Sequence, residues 1–135
     1  PVAGVPSLDI LAAGQPVLRR PMIALLQVGR GRFAWARYRA ANSHWSREGE
    51  VQVSDAREIA ATITSPVYVC GEMGEEERHI LGRKWKTARL ASPAQCLRRP
   101  AVLAELAWQR LLEGKADDAA ALSPIYVHTL SNVPE

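Results

Sequence analysis

The side chains of this chain that could do covalent or metal chemistry are few and scattered. A hydrolytic metal centre needs ligands in close register, such as two histidines one helical turn apart with a carboxylate nearby. His44, His79 and His128 stand alone, and no His-Glu-x-x-His run occurs. Their spacing implies surface or capping roles and no metal. A serine or cysteine nucleophile needs a base and an orienting acid. Ser54-Asp55 and Ser92-Pro93 read as helix or turn starts instead. Cys70 precedes His79, but nothing in the pattern brings them together. Cys70 and Cys96 are too few for a disulfide framework. Cys70 closes a β-branched run, as a small buried hydrophobe does, and both read as thiols in a reducing cytoplasm.

Phosphate binding needs free backbone N–H groups at a glycine-rich turn, helped by a helix N-terminus. Two turns qualify for scrutiny. Gly29-Arg30-Gly31-Arg32 offers flexible positions and two cations, yet has no hydroxyl or acidic metal ligand, and reads as a hairpin turn. Gly71-Glu72-Met73-Gly74 follows a strand and opens a helix, the right context for an anion. Glu72, Glu75, Glu76 and Glu77 crowd that start and already occupy the favourable dipole field. A polyphosphate would meet several like charges at roughly 1 kcal/mol or more each. No tight ATP site is expected there, and no cofactor is implied.

What remains is contact chemistry. Phe33, Trp35, Trp45, Trp85 and Trp108 are large anchors. Trp108 lies mid-helix and is expected in the core. Trp35 alternates with Arg37 and Arg39 on one strand face, which makes these three the interface candidates, with core packing as the other reading of Trp35. Arg30, Arg32, Arg37 and Arg39 form either one basic strip for nucleic acid or a solvated face.

These residues must be carried by elements that the pattern also predicts. Ser7 can cap a helix over Leu8–Ala13 that Gly14 stops. Pro16 and Pro21 bracket a polar link with Arg19 and Arg20. Met22–Leu26 is a continuous apolar run, as in a strand buried on both faces. Phe33–Ala40 completes a hairpin with it; Phe33, Trp35, Arg37 and Arg39 share one face, and Ala34, Ala36 and Tyr38 the other. Asn42–Gly49 is a turn or part of the next strand, and Glu50–Val53 is a strand with one wet face. Asp55 with Glu58 predicts a capping box opening a helix over Ala56–Ile63. Val67–Cys70 is a strand, Glu75–Leu81 a helix, and Lys86–Leu90 a short strand. Pro100 opens a long helix over Ala101–Glu113 that Gly114 ends; Leu103, Ala107 and Leu111, widened by Val102 and Leu106, give its apolar stripe. Ser123–His128 reads as a final edge strand or docked tail. Three antiparallel strands followed by alternating helices and strands predict an α/β layer fold.

The 135 residues suffice for one domain with a real core. Hydrophobic residues at 47% and charged residues at 23% are ordinary for a globular protein. No apolar run is long enough to span a bilayer, and no secretory leader pattern is visible. The net charge of +3 suits either a polyanion or plain solvent. The chain opens at Pro1, directly into what looks like a strand end and a helix start, so it is expected to be a fragment or a processed chain.

Two segments carry a family resemblance. The opening Val2-Ala3-Gly4-Val5-Pro6-Ser7-Leu8-Asp9, and the close Leu112-Glu113-Gly114-Lys115 followed by Ser123-Pro124-Ile125-Tyr126-Val127-His128, resemble the second half of the bacterial TsaB (YeaZ) family. The resemblance implies a ribonuclease H-like lobe of the actin-like ATPase type, a mixed sheet with three antiparallel strands and flanking helices. It implies that residues 1–135 form the C-terminal lobe alone, with the N-terminal lobe absent from this chain. It further implies a cytoplasmic, non-catalytic subunit that pairs with a TsaD-like catalytic subunit and a TsaE-like ATPase. Together they modify the adenosine beside the tRNA anticodon with a threonylcarbamoyl group. Tight contacts with tRNA are not implied, though Trp35, Arg37 and Arg39 are the residues to test. A homodimer is also expected, because a lobe without its neighbour exposes apolar surface. The superfamily label glycoprotease implies a peptidase, which these residues do not support. The chain departs from the family pattern at Gln27-Val28-Gly29, where an Asp-Ala-Arg triplet is usual. It departs again at Ala34 or Trp35, where a Tyr is usual, and at His128, where an Arg is usual. An enzyme of actin-like ancestry, kinase-like or peptidase-like, is the competing reading.

Overall fold

The first strand shows why the chain folds as it does. Met22, Ile23, Ala24, Leu25 and Leu26 are all buried, so β1 (Met22–Gly29) has no wet face and must lie inside a sheet covered on both sides. The computed structural model, which describes residues 1–127, places it there. The elements run α1 (Ser7–Ala13), β1, β2 (Arg32–Ala41), β3 (His44–Asp55), α2 (Ala56–Ala61), β4 (Val67–Gly71), α3 (Glu75–Gly82), β5 (Ala88–Leu90), a 3-10 turn (Pro93–Gln95) and α4 (Pro100–Leu112). The five strands are ordered β3-β2-β1-β4-β5. β2 runs antiparallel to both β3 and β1, while β4 and β5 continue parallel to β1.

Side-chain alternation sends two sets of residues to opposite faces. Ile23, Leu25, Phe33, Trp35, Val67 and Val69 meet Ile59, Ile63 and Leu81 from α2, α3 and their flanks. Met22, Ala24, Leu26, Ala36, Tyr38, Tyr68 and Cys70 meet Leu8, Leu11 and Ala12 of α1. The α2 entrance is built as its sequence predicts. Asp55 Oδ1 accepts from the Glu58 N–H at 2.8 Å, and Glu58 Oε2 accepts from the Asp55 N–H at 2.8 Å.

Several elements differ from the sequence reading, each for a physical reason. Ser7 is the first helical residue; Pro6 holds the cap position without a side-chain bond. α2 stops at Ala61, yet Ile63 is still buried because the turn after the helix folds it under. β3 begins at His44, since Asn42 and Ser43, both at positive φ, close a tight hairpin. Of its polar stretch, Ser46–Glu48 pairs with β2 as an edge strand wet on most sides, and Gly49 and Glu50 fall in a register shift. No strand forms over residues 123–127, and His128 lies outside the described residues.

The largest correction concerns Trp108, expected in the core; Trp35 takes the core position, one of its two readings. Trp35 is 3% exposed and sits in the core, whereas Trp108 is 62% exposed. Trp35 lies where the sheet meets α2, while α4 turns only a shallow side to the body and buries no residue fully. A clasp holds α4 in place. Asp117 accepts from the Gly4 N–H at 2.7 Å and pairs with Arg110 at 3.2 Å. Arg110 also donates to the Gly4 carbonyl.

Candidate functional site

In open α/β sheets, ligands gather at the carboxyl ends of the strands where the connection direction changes. Here that point is the end of β1 and β4, with β1 antiparallel to β2 on one side and parallel to β4 on the other. The Gly29-Arg30-Gly31-Arg32 hairpin, the Asp55 entrance to α2 and the Gly71–Gly74 turn all leave from this end.

Close approach of the backbone shapes the site. Gly71 has φ +136°, and a Cβ there would fall 1.9 Å from the Leu25 carbonyl oxygen. Only glycine fits, which lets the Glu72 N–H donate to that same oxygen at 3.0 Å. The turn then delivers the Glu72 carboxylate onto the end of β1. Its Oε2 accepts from the Gln27 N–H at 2.8 Å, and its Oε1 accepts from Arg98 Nη2 at 3.0 Å. One step on, Glu77 Oε2 accepts from the Gly74 N–H at 2.9 Å.

The helix starts at this end therefore carry the chain's own carboxylates. Asp55 and Glu58 fill the start of α2; Glu77 fills the start of α3. Glu72 bridges β1, the β4–α3 turn and the segment before α4. These groups accept hydrogen bonds as structural braces. The Gly29–Arg32 segment is a hairpin turn, and Arg32 Nη2 donates to the Val53 carbonyl at 2.9 Å.

The interface candidates separate in space. Trp35 is enclosed, which removes it as a surface anchor, and its Nε1 has no hydrogen-bond partner. Arg37 shares its face and reaches the end of α2, donating from Nη2 to the Thr62 carbonyl at 3.0 Å. Arg39 lies beyond the core and pairs with Glu48 at 2.7 Å. The basic strip is thus divided among a helix end, a carboxylate and the hairpin.

Among the described residues, His44 and His79 form no cluster with the cysteines. His44 is exposed, with Nδ1 3.2 Å from the Asn42 carbonyl. His79 Nε2 lies 3.0 Å from Arg83 Nη2. Among the described residues, no three His, Cys, Asp or Glu side chains gather as a metal site. Both thiols are free. Cys70 is buried with Sγ 3.6 Å from Met22 Sδ, and burial, with a smaller effect of Cys96, pushes its thiol far above the ordinary range.

A groove of about 590 Å³ escapes the sequence reading altogether. It runs between α1, α4 and β3, and Asp9, Tyr38, Trp45 and Arg47 line it. Tyr38 donates from its hydroxyl to Asp9 Oδ1 at 2.6 Å, and Arg47 stands 3.9 Å from the same oxygen. Burial, then the bond to Asp9, raises the Tyr38 pKa well above its ordinary 10.0. The alternation of β2 places Tyr38 inward; nothing local pairs it with a helix residue so far away in sequence.

An antiparallel β3-β2-β1 unit extended by parallel β4 and β5, with helices on both faces, is a ribonuclease H-like fold. In detail it is similar to the fold of YeaZ. The solved structure of YeaZ from Pseudomonas aeruginosa superposes with a TM-score of 0.62, at 16% identity, over 90% of this chain and 58% of that one. An uncharacterized Pseudomonas aeruginosa protein, described as having similarity to peptidase YEAZ, superposes with a TM-score of 0.60, at 18% identity, over 90% of this chain and 56% of that one. The chain thus spans a little over half the length of either. No protein-family model matches it, and no curated protein matches it. No helix among the described residues is long and apolar enough to cross a membrane.

Proposed function

We propose that this chain is a non-catalytic lobe of a subunit that supports threonylcarbamoyl transfer to the adenosine beside the tRNA anticodon, through pairing with a TsaD-like catalytic subunit and a TsaE-like ATPase. The observation that carries the reading is the YeaZ fold across 90% of the chain. A second observation agrees with a supporting role. At the end of the sheet where a ligand would sit, Glu72 is held by Gln27 and Arg98 while Asp55, Glu58 and Glu77 occupy the helix starts. An arriving polyphosphate would have to displace them. The enzyme reading gains no such observation.

The test is reconstitution. The full-length protein is combined with the TsaD-like and TsaE-like subunits of its own organism, and tRNA nucleosides are measured by mass spectrometry. Modification should require the protein and should be restored by adding it back. Modification at full rate without it would refute the supporting role. Calorimetry with ATP on this chain should show no micromolar binding; a micromolar isotherm would return the enzyme reading.

A further inference from the structure

We propose that the turn between α3 and β5 is a contact site for single-stranded nucleic acid, with a base stacked on Trp85 and neighbouring phosphates held by Arg83, Lys84, Lys86 and Arg89. Trp85 is 74% exposed, the most open tryptophan among the described residues. An exposed indole ordinarily looks for cover, yet this one lies in a stretch of sequence whose charges are all positive. From Arg78 to Leu90 the sequence contains no Asp or Glu. Two of the three lysines of the whole chain flank the ring. Lys86 Nζ stands 5.3 Å from the ring centroid, a cation–π geometry. None of the four cations belongs to an ion pair among those formed by the described residues. Arg83 Nη2 lies 3.0 Å from His79 Nε2; of the hairpin arginines, Arg39 is ion-paired with Glu48 and Arg37 donates to Thr62.

The turn is held rather than loose. The Thr87 and Ala88 N–H groups donate to the Lys84 carbonyl at 2.7 and 2.6 Å, and the Val67 N–H donates to the Thr87 carbonyl at 2.7 Å. Those bonds tie it to the start of β4 and fix the platform. A π-face bounded by cations is the arrangement that accepts an unpaired base and its phosphates: the ring stacks without regard to base identity, and the cations track the backbone. A duplex hides its base faces and offers the ring nothing to stack on. A lipid surface is the less favoured occupant, because Trp85 is the only large exposed apolar side chain from Val67 to Cys96, and interfacial binding draws on a broader buried apolar area. The inference needs only this chain and stands or falls separately from the pairing with a catalytic subunit.

The experiment titrates the full chain against a fluorescent 12-nucleotide single strand, as RNA and as DNA, and against the matching duplex, over a salt series. Single strands of either sugar should bind at low salt and the duplex more weakly. With up to four phosphates neutralised at about 0.7 per phosphate, the slope of log K against log salt should approach about −3. Trp85→Ala should weaken binding about tenfold or more, and Trp85→Phe should keep most of it, because phenylalanine still stacks. Lys84→Ala with Lys86→Ala should flatten the slope by about 1.4. No binding at low salt, equal binding of duplex, or affinity unchanged in Trp85→Ala would overturn the inference. Trp85-dependent co-sedimentation with phosphatidylserine vesicles, without Trp85-dependent strand binding, would assign the turn to a membrane and overturn it as well.

Discussion

Replacing Gly71 by alanine tests the geometry on which the switch-point end depends. The new Cβ would lie 1.9 Å from the Leu25 oxygen, 2.8 Å from its carbonyl carbon and 2.9 Å from its nitrogen. All three are backbone atoms of a central strand and cannot swing aside. A φ of +136° adds about 1–3 kcal/mol of backbone strain for a side-chain-bearing residue. Separating β1 from β4 to relieve the overlap removes the Glu72 N–H bond to Leu25, about 1 kcal/mol net. It also disturbs the packing of fully buried Leu25 and Val69, about 1–3 kcal/mol more. The sum, about 3–7 kcal/mol, is a large part of the 5–15 kcal/mol typical of a domain. Gly49 supplies the control: its φ is +70°, but nothing lies within 4 Å of its added Cβ, so Gly49→Ala should cost only about 1–2 kcal/mol. Urea unfolding followed by tryptophan fluorescence and circular dichroism reads both. At a slope of about 2 kcal/mol per molar, Gly71→Ala should lower the midpoint by about 2 M and Gly49→Ala by less than about 1 M. Equal losses for the two variants would refute the close approach of β1 and β4.

Other consequences follow from burial. Trp35→Ala should destabilise the fold by about 3–5 kcal/mol, as a fully packed aromatic does, while exposed Trp108→Ala should stay within about 0.5 kcal/mol; thermal melts of both variants check this. Tyr38 and Cys70 have folded-state pKa values raised above their ordinary 10.0 and 9.0. Each therefore contributes stability that is whole below those values and is lost as pH rises above them. Unfolding midpoints should fall between about pH 9 and 11, less steeply in Tyr38→Phe than in the parent. Ellman's reagent under native conditions should label half-buried Cys96 first, with Cys70 reacting only on unfolding; Cys96→Ser should abolish the native reaction.

Much of the fold is legible because it is decided locally or by strict alternation. The run Met22–Leu26 announces a strand covered on both faces, and Asp55 with Glu58 announces a helix entrance whose reciprocal bonds are both present. The faces of β2 are equally plain: Phe33, Trp35 and Arg37 point to α2 and Tyr38 to α1. What stays hidden is non-local. The stripe on α4 has the period of a core helix, yet its docking leaves Leu103 and Trp108 in solvent; periodicity tells which side is apolar and not how deeply it is covered. The Ser46–Glu50 stretch lacks a two-residue alternation because an edge strand has little to bury. Glu72 reads from its neighbours as a repelling charge. Its partners, Gln27 and Arg98, come from far along the chain, and only the sheet brings them together.

The two outer strands carry a final implication. β5 has only three residues, and β3 places Arg47, Glu48 and Glu50 along its length. β3 also slips its register where Trp35 pairs with Gln52 but Arg37 with Glu48. A rim that is short on one side, and charged and kinked on the other, is a poor template for recruiting foreign strands. Concentrated solutions of this chain should therefore resist fibril growth, and any copies that do adhere should meet through their helices.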